Sequence, residues 1–577
     1  MLDSNSPGDG QTNGTAVSSR SRDDRRGVSR AAHLLAALTM VTRVGGLLRD
    51  MAVSAVFGTS AGADAFFVAF RIPNLFRRVV AEGASSAALV PVFTESLIRG
   101  GKEEAVRAAG AVGGAAFLVL AALTLIGMAA AGALTVAFAP GFAHDAAKQG
   151  MTVALTRWTF PYLLLVGAAA WAMGVLHTFR NFALPALGPL LLNLAIIVCV
   201  IWLAPHMRLP EYALVVGVLA GGLLQFLVQV PALRRLGMRL PMLANLWHPA
   251  LLRTGRLVVP VVFGGAVYQI NVLVATVFAS LLPDGSVSYL WYADRVFEFP
   301  LGVVAVAVGT AALPSLAAQA KAGQTRLMAD TIVDSLGLVL AFCLPAAIGL
   351  ALLAPDIVAL LFQRGRFSPQ DAAMTAWALR AYVPGLLGVA VVRVLAAAFY
   401  AVEEPRAPVY AAIFALLVNV FFDVALMGPV HPFGPGLDWW AGSLIAKAGD
   451  VVRIVDMRHA GLALATGIAA TANACVLLVM LLRRLPELRL APLARSLALH
   501  LSASAAMAAA IVVLQLALQS SSPVLEWAQR PALRVALSIV TGTAVYAVCA
   551  MSLGSAEIRE LAGLFRVRLG RDLKRDS

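Results

Sequence analysis

Between Thr42 and Gly83 the chain reads TRVGGLLRDMAVSAVFGTSAGADAFFVAFRIPNLFRRVVAEG, apolar enough to enter a bilayer yet carrying Arg43, Arg49, Asp64, Arg71, Arg77, Arg78 and Glu82. A Lys, Arg or Asp at the centre of a spanning helix costs roughly 2.5 to 3.5 kcal/mol on insertion scales, so such side chains face protein or a hydrated cavity. The preference for guanidinium is informative. It stays charged at any relevant pH and grips planar anionic oxygens two at a time, which suits a phosphate-bearing substrate, whereas a cationic drug would call for carboxylates and aromatic faces. Lysine is absent from these segments. The expected chemistry is capture of an anionic head group in a cationic cavity. The plainer alternative for any single residue is an internal ion pair or an arginine snorkelling to the interface.

The spacing sets requirements on the helices. Arg43 and Arg49 would diverge by roughly 120° on an unbroken helix. A kink at Gly45-Gly46 would let both reach one space. Asp64, Arg71, Arg78 and Glu82 recur near helical period, with Pro73 as the expected kink. A second charged run, Tyr292-Ala-Asp294-Arg295-Val-Phe-Glu298-Phe-Pro300, puts Asp294 and Arg295 each one turn from Glu298. It reads either as a second wall of the cavity or as a self-neutralised triplet that inserts as an ion pair. Asn419 and Asp423 share one helix face, and Thr466 is polar on the following apolar helix. Their oxygens would suit a hard cation such as sodium, and interhelical hydrogen bonding is the competing account.

The elements that carry these residues follow from composition. With 577 residues, 60% of them hydrophobic and only 13% charged, the chain is a polytopic membrane protein. About 14 apolar segments are long enough to span a bilayer, the first four near 31–57, 63–98, 106–138 and 151–179. Lys and Arg concentrate before Arg30, between Arg234 and Arg256, and after Arg559, so the net charge of +14 reflects topology with both termini cytoplasmic; it does not imply nucleic acid. Pro91 and Pro314, Pro161 and Pro384, and Pro185 and Pro408 recur at one common separation. That separation suggests two parallel six-helix halves around a central cavity.

The expected organisation is a disordered cytoplasmic tail (1–29), an N-terminal six-helix half (30–235), a cytoplasmic linker (236–253) and a C-terminal six-helix half (254–485). Two extra helices (486–555) would form a lipid-tail groove, and a basic cytoplasmic tail (556–577) would follow. The cysteines at 199, 343, 475 and 549 lie in apolar runs without metal or disulfide spacing. No P-loop, zinc-protease or nucleophile-elbow motif occurs, so ATP hydrolysis and metal-assisted hydrolysis have no visible machinery. A transporter is expected, not an enzyme. A non-transporting scaffold docked through the basic tail is the reading from another class.

TRVGGLLRD, GADAFFVAFRIPNLFRRVVAEGASSAALVPVF and YADRVFEFPLGVVAVAVGTAALPSL resemble the signature segments of the MurJ (MviN) family, lipid II flippases of the multidrug/oligosaccharidyl-lipid/polysaccharide exporter superfamily. The chain departs from the usual family wording at Thr42, where Ser is common, and at Gly45, where Leu is common. The resemblance implies movement of undecaprenyl-pyrophosphate-linked peptidoglycan precursor from the inner to the outer leaflet of the bacterial cytoplasmic membrane by alternating access. Its substrate-binding set would be Arg43, Arg49, Asp64, Arg77, Arg78 and Arg295, supported by Glu82, Asp294 and Glu298. Expected partners are lipid II, membrane lipids and the cell-wall synthesis machinery. An exporter of another lipid-linked oligosaccharide or a multidrug antiporter would have similar architecture. The one cofactor the resemblance suggests is a sodium ion at Asn419, Asp423 and Thr466. Family sites of that kind also take a carboxylate from the seventh span, where this chain has Ala275 with Asn271 one turn earlier.

Overall fold

In a bilayer an apolar segment must satisfy its backbone hydrogen bonds internally, which makes it helical. The computed structural model describes residues 37–77, 88–238, 247–302, 306–429, 447–449, 451–519 and 531–559, and these form helices and their connections. In chain order they are α1 (residues 37–57), α2 (Ala61–Arg77), α3 (Val90–Ala129), α4 (Ala131–Phe138), α5 (Ala146–Thr159), α6 (Pro161–Thr178) and α7 (Ala183–Ala186). Next come α8 (Gly188–Val198), α9 (Tyr212–Leu227), α10 (Val230–Arg235), α11 (Pro249–Ser280), α12 (Ser286–Pro300), α13 (Val306–Lys321) and α14 (Thr325–Phe362). The last are α15 (Pro369–Tyr382), α16 (Gly385–Ala401), α17 (Arg406–Leu426), α18 (Arg458–Arg484), α19 (Ala491–Gln519) and α20 (Pro531–Ser552).

Among the described residues, 9 helices are long and apolar enough to cross a membrane, or up to 10 if the pair α15 and α16, bent by 45°, is one span. Pro384 sits in that bend, where it cannot supply a helical amide. The expected spans near 31–57, 63–98 and 287–319 each run through positions outside the described set. The proposed tail 1–29, Arg78, Glu82 and most of the basic C-terminal tail lie outside it too.

The chain stays helical at both expected weak points, and no unwound turn forms at Gly45-Gly46. α1 runs unbroken through Gly45 and Gly46. The reason is packing: a Cβ on Gly45 would sit 3.2 Å from the Leu190 side chain and 3.7 Å from that of Asn193, so the bare backbone lets α8 approach α1. α2 likewise continues through Pro73. A break the sequence reading missed is Gly101, whose φ of 70° interrupts α3.

The chain divides into two compact units, Met1–Ala52 with Pro73–Ala129 and Trp158–Phe263, and Val53–Ile72 with Ala130–Arg157 and Gly264–Ser577. In the first, α3 packs on α6, α6 on α9 and α8 on α9. Its core gathers Val92, Phe93, Val112, Trp171, Val175 and Leu233. The Trp171 indole N–H is not left unpaired, since it donates to the Ala109 carbonyl at 2.9 Å.

In the second unit α16 and α17 pack on α18, while α14 carries α19 and α20. That C-terminal hairpin has a core of Leu353, Met507, Ile511 and Tyr546. It is pinned at its ends by polar contacts: Gln515 donates to Asp356 at 3.0 Å, and Arg534 is paired with the same carboxylate. The turn after α1 and the one after α14 interlock, with the Arg366 amide donating to the Ala55 carbonyl at 2.8 Å. Gly58 (φ +59°) and Gly365 (φ +58°) make this approach sterically feasible; a Cβ on Gly58 would lie 2.7 Å from the Arg366 carbonyl oxygen. Gly365→Ala should therefore destabilise the protein by roughly 1–3 kcal/mol, read as a lower thermal midpoint in detergent. An unchanged midpoint would show that the turn has room to give.

Candidate functional site

The charged residues fall into groups that each unit builds separately. In the first unit Arg49, on α1, reaches the neighbouring Asp50 carboxylate with Nε at 3.0 Å and Nη2 at 2.8 and 3.0 Å. Its third nitrogen, Nη1, donates to Asn193 Oδ1 on α8 at 3.1 Å. Asn193 in turn donates to the Thr42 carbonyl at 3.3 Å. The guanidinium is thus fixed in plane by a buried carboxylate and an amide from another helix, as a two-point anion contact requires. Arg43 is half-buried on the same helix. Arg77, half-buried at the end of α2, donates to Asn74 Oδ1 at 2.6 Å. Asp50 and Asn193 were missed by the sequence reading. Asp50 has a legible signal, a carboxylate next to an arginine within an apolar helix; Asn193 has none.

In the second unit Asp64 is only 1% exposed. Its Oδ1 accepts from the Ser288 amide at 2.9 Å and the Ser288 hydroxyl at 2.6 Å. Its Oδ2 accepts from the Gly285 amide at 2.8 Å and from Lys148 Nζ at 3.0 Å. A carboxylate from the first turn of α2 thus closes the N-terminus of α12, where unpaired amides and the helix dipole favour negative charge. Lys148, 3% exposed, also donates to Asp284 at 2.6 Å. Asp145, at the start of α5, accepts from the Ala147 and Lys148 amides at 2.9 and 3.1 Å, and the Lys148 amide foremost holds its pKa below the ordinary carboxylate range. The cap sets the helix turn from which Lys148 projects. Arginines are therefore not the only cations that matter here: a lysine on a segment far from the charged run completes the Asp64 site.

Also in this unit, Arg295 donates to Glu298 at 3.2 Å and Asp294 at 3.3 Å, so the triplet is ion-paired. The pairing is not the whole of its surroundings, because the Arg295 guanidinium lies 4.9 Å from the centre of the Trp291 ring and that of Arg71 lies 5.5 Å from it. Arg71 donates to Thr276 on α11 at 2.6 Å. A further junction the sequence did not reveal is Asp371, which caps α15 and accepts from Thr59 at 2.6 Å and Tyr289 at 3.2 Å.

Asn419 and Asp423 are 1% and 0% exposed on α17, and Thr466 lies on α18, which packs against it. The Thr466 hydroxyl donates to the Leu462 carbonyl at 3.0 Å. Among the described residues neither oxygen of Asp423 and neither polar side-chain atom of Asn419 has a hydrogen-bond partner. The interhelical hydrogen bonds offered as the alternative are thus not made by these two side chains among the described residues. A buried carboxylate with no donor is either neutralised by a proton or held against a cation, and a carboxylate, an amide oxygen and a hydroxyl are a donor set that a small monovalent cation fits.

Helices of this number and apolarity, with guanidinium and carboxylate groups held inside them, define a multispan membrane transporter. The family described as lipid II flippase MurJ matches residues 53–439. The lipid II flippase MurJ of Burkholderia cenocepacia is 35% identical over 459 residues, 79% of this chain and 84% of that relative. The probable lipid II flippase MurJ of Vibrio cholerae is 36% identical over 401 residues, 68% of this chain and 76% of the relative. The chain belongs to the lipid II flippase MurJ family. Its fold agrees with a solved lipid II flippase MurJ in an inward closed conformation, with a TM-score of 0.71, 24% identity, and 92% of this chain and 99% of that one covered. A multidrug resistance MATE family transporter of the MOP superfamily shares the fold at a TM-score of 0.62 and 14% identity, over 79% of this chain and 98% of that one.

Proposed function

We infer that the protein is a lipid II flippase that moves undecaprenyl-pyrophosphate-linked peptidoglycan precursor from the inner to the outer leaflet by alternating access. The observation that carries this reading is the in-plane anchoring of Arg49 by Asp50 and Asn193 within an apolar helix, in a chain of this family. Such a guanidinium is costly in a membrane and is preorganised for the planar oxygens of a pyrophosphate. Arg43, Arg49, Arg77, Arg78 and Arg295 bind the head group. Asp64 is an acidic member of the site that holds the end of α12, and Glu82, Asp294 and Glu298 moderate the surplus positive charge. The tail stays in lipid along α19 and α20, whose outward Val513, Leu516, Val540 and Val548 are exposed. Both termini face the cytoplasm, and cell-wall synthesis enzymes would use the product outside.

The test is translocation of lipid II by the full chain in reconstituted vesicles, with another polyprenyl-linked sugar as competitor. Accumulation of lipid II in the far leaflet, lost in Arg295→Ala, is expected. Transport of the competitor but not of lipid II would end the assignment.

A sodium ion held by Asn419, Asp423 and Thr466 would supply the counter-charge that Asp423 lacks. Sodium should then raise the thermal midpoint of the wild type by mass action, while Asp423→Asn, which needs no counter-charge, should be insensitive. Equal midpoints for the wild type in sodium and in choline would remove the ion from the account.

A further inference from the structure

Trp291, on α12, is 7% exposed, and its ring is the meeting point of three side chains. Phe67 stacks on it at 4.7 Å with planes 19° apart, and the guanidinium groups of Arg71 and Arg295 lie 5.5 and 4.9 Å from its centre. A cation within about 6 Å of a Trp centroid is held by the ring quadrupole, more strongly when desolvated. The far ends of both arginines are tied as well, Arg71 to Thr276 and Arg295 to Asp294 and Glu298. The ring is therefore a platform that limits how either guanidinium can turn. The indole Nε1–H, in contrast, is buried and has no acceptor among the described residues. Buried tryptophan normally spends that proton on a protein carbonyl, as Trp171 does on Ala109.

Indole N–H and guanidinium groups donate hydrogen bonds and cannot accept them, so together they fit an anionic oxygen cluster. Resting on the flippase reading, we propose that Trp291 is a binding residue for the pyrophosphate of the lipid-linked substrate: its ring holds Arg71 and Arg295 in position, and its Nε1–H donates to a phosphate oxygen. Asp294 and Glu298 occupy Arg295 donors in this structure, so the phosphate competes with them for that arginine. Arg71 enters the head-group site through the same ring.

The experiment uses the full chain in nanodiscs, labelled with 5-fluorotryptophan; the Trp291 resonance is the one missing from Trp291→Phe. Titration with inorganic pyrophosphate and, separately, with lipid II should shift that resonance. Trp291→Phe keeps a ring but removes the N–H, and should weaken both ligands about tenfold, the worth of one charge-assisted hydrogen bond. Trp291→Leu also removes the platform and should weaken them about a hundredfold. If the leucine variant fails to fold, the phenylalanine variant and the resonance shift still decide. A resonance that does not move when lipid II binds, or wild-type affinity in Trp291→Phe, would overturn the inference. A Trp291 shift with pyrophosphate, in a protein that does not bind lipid II, would support the anion site and overturn the flippase reading instead.

Discussion

Lys148→Met should lower both stability and transport, because it removes the only cation in contact with the buried Asp64 carboxylate among the described residues. Breaking a buried ion pair from one side costs about 3–5 kcal/mol. The lower end applies here, since Asp64 keeps the Gly285 amide and both donors of Ser288. Asp284 is affected less; its side chain is 57% exposed and can turn to water. Asp64→Asn in the Lys148→Met background should restore part of the stability, because the neutral amide no longer needs the ammonium while its NH2 cannot accept from the Gly285 amide. Thermal midpoints of the wild type, the two single variants and the double variant close the cycle. Additive effects would mean that the two groups are not coupled. If the start of α12 must move during transport, the double variant should recover stability without recovering flipping.

Arg49→Lys should lose lipid II translocation by about ten- to a hundredfold, although the charge is kept. Arg49 engages both oxygens of Asp50 and also Asn193, three partner atoms around one guanidinium. An ammonium on a flexible stem cannot hold that arrangement and also offer a planar pair of donors to pyrophosphate. Arg295→Lys should fall similarly, because the guanidinium now spans Asp294, Glu298 and the Trp291 face. Both variants should accumulate at wild-type levels in the membrane, which separates a binding defect from a folding one. Wild-type translocation by both would reduce the site to a general positive field.

Hydropathy and charge are carried by residues one at a time, so a linear reading suffices to recognise apolar helices and the arginines and carboxylates that do not belong in lipid. On those grounds the multispan helical class was legible from the sequence, and Arg43, Arg49, Asp64, Arg77 and Arg295 stood out as charges in apolar segments. Their partners were not. Asp64 meets Lys148 and Ser288 from segments 84 and 224 residues away, and Arg49 meets Asn193 across 144 residues. Which polar group neutralises which depends on packing that no local spacing encodes. The same holds for glycine: Gly45 and Gly46 read as a weak point along the chain, yet α8 packs against them and α1 stays helical through both. A glycine favours a kink or a close contact equally until a neighbour is present, and only the tertiary structure supplies the neighbour.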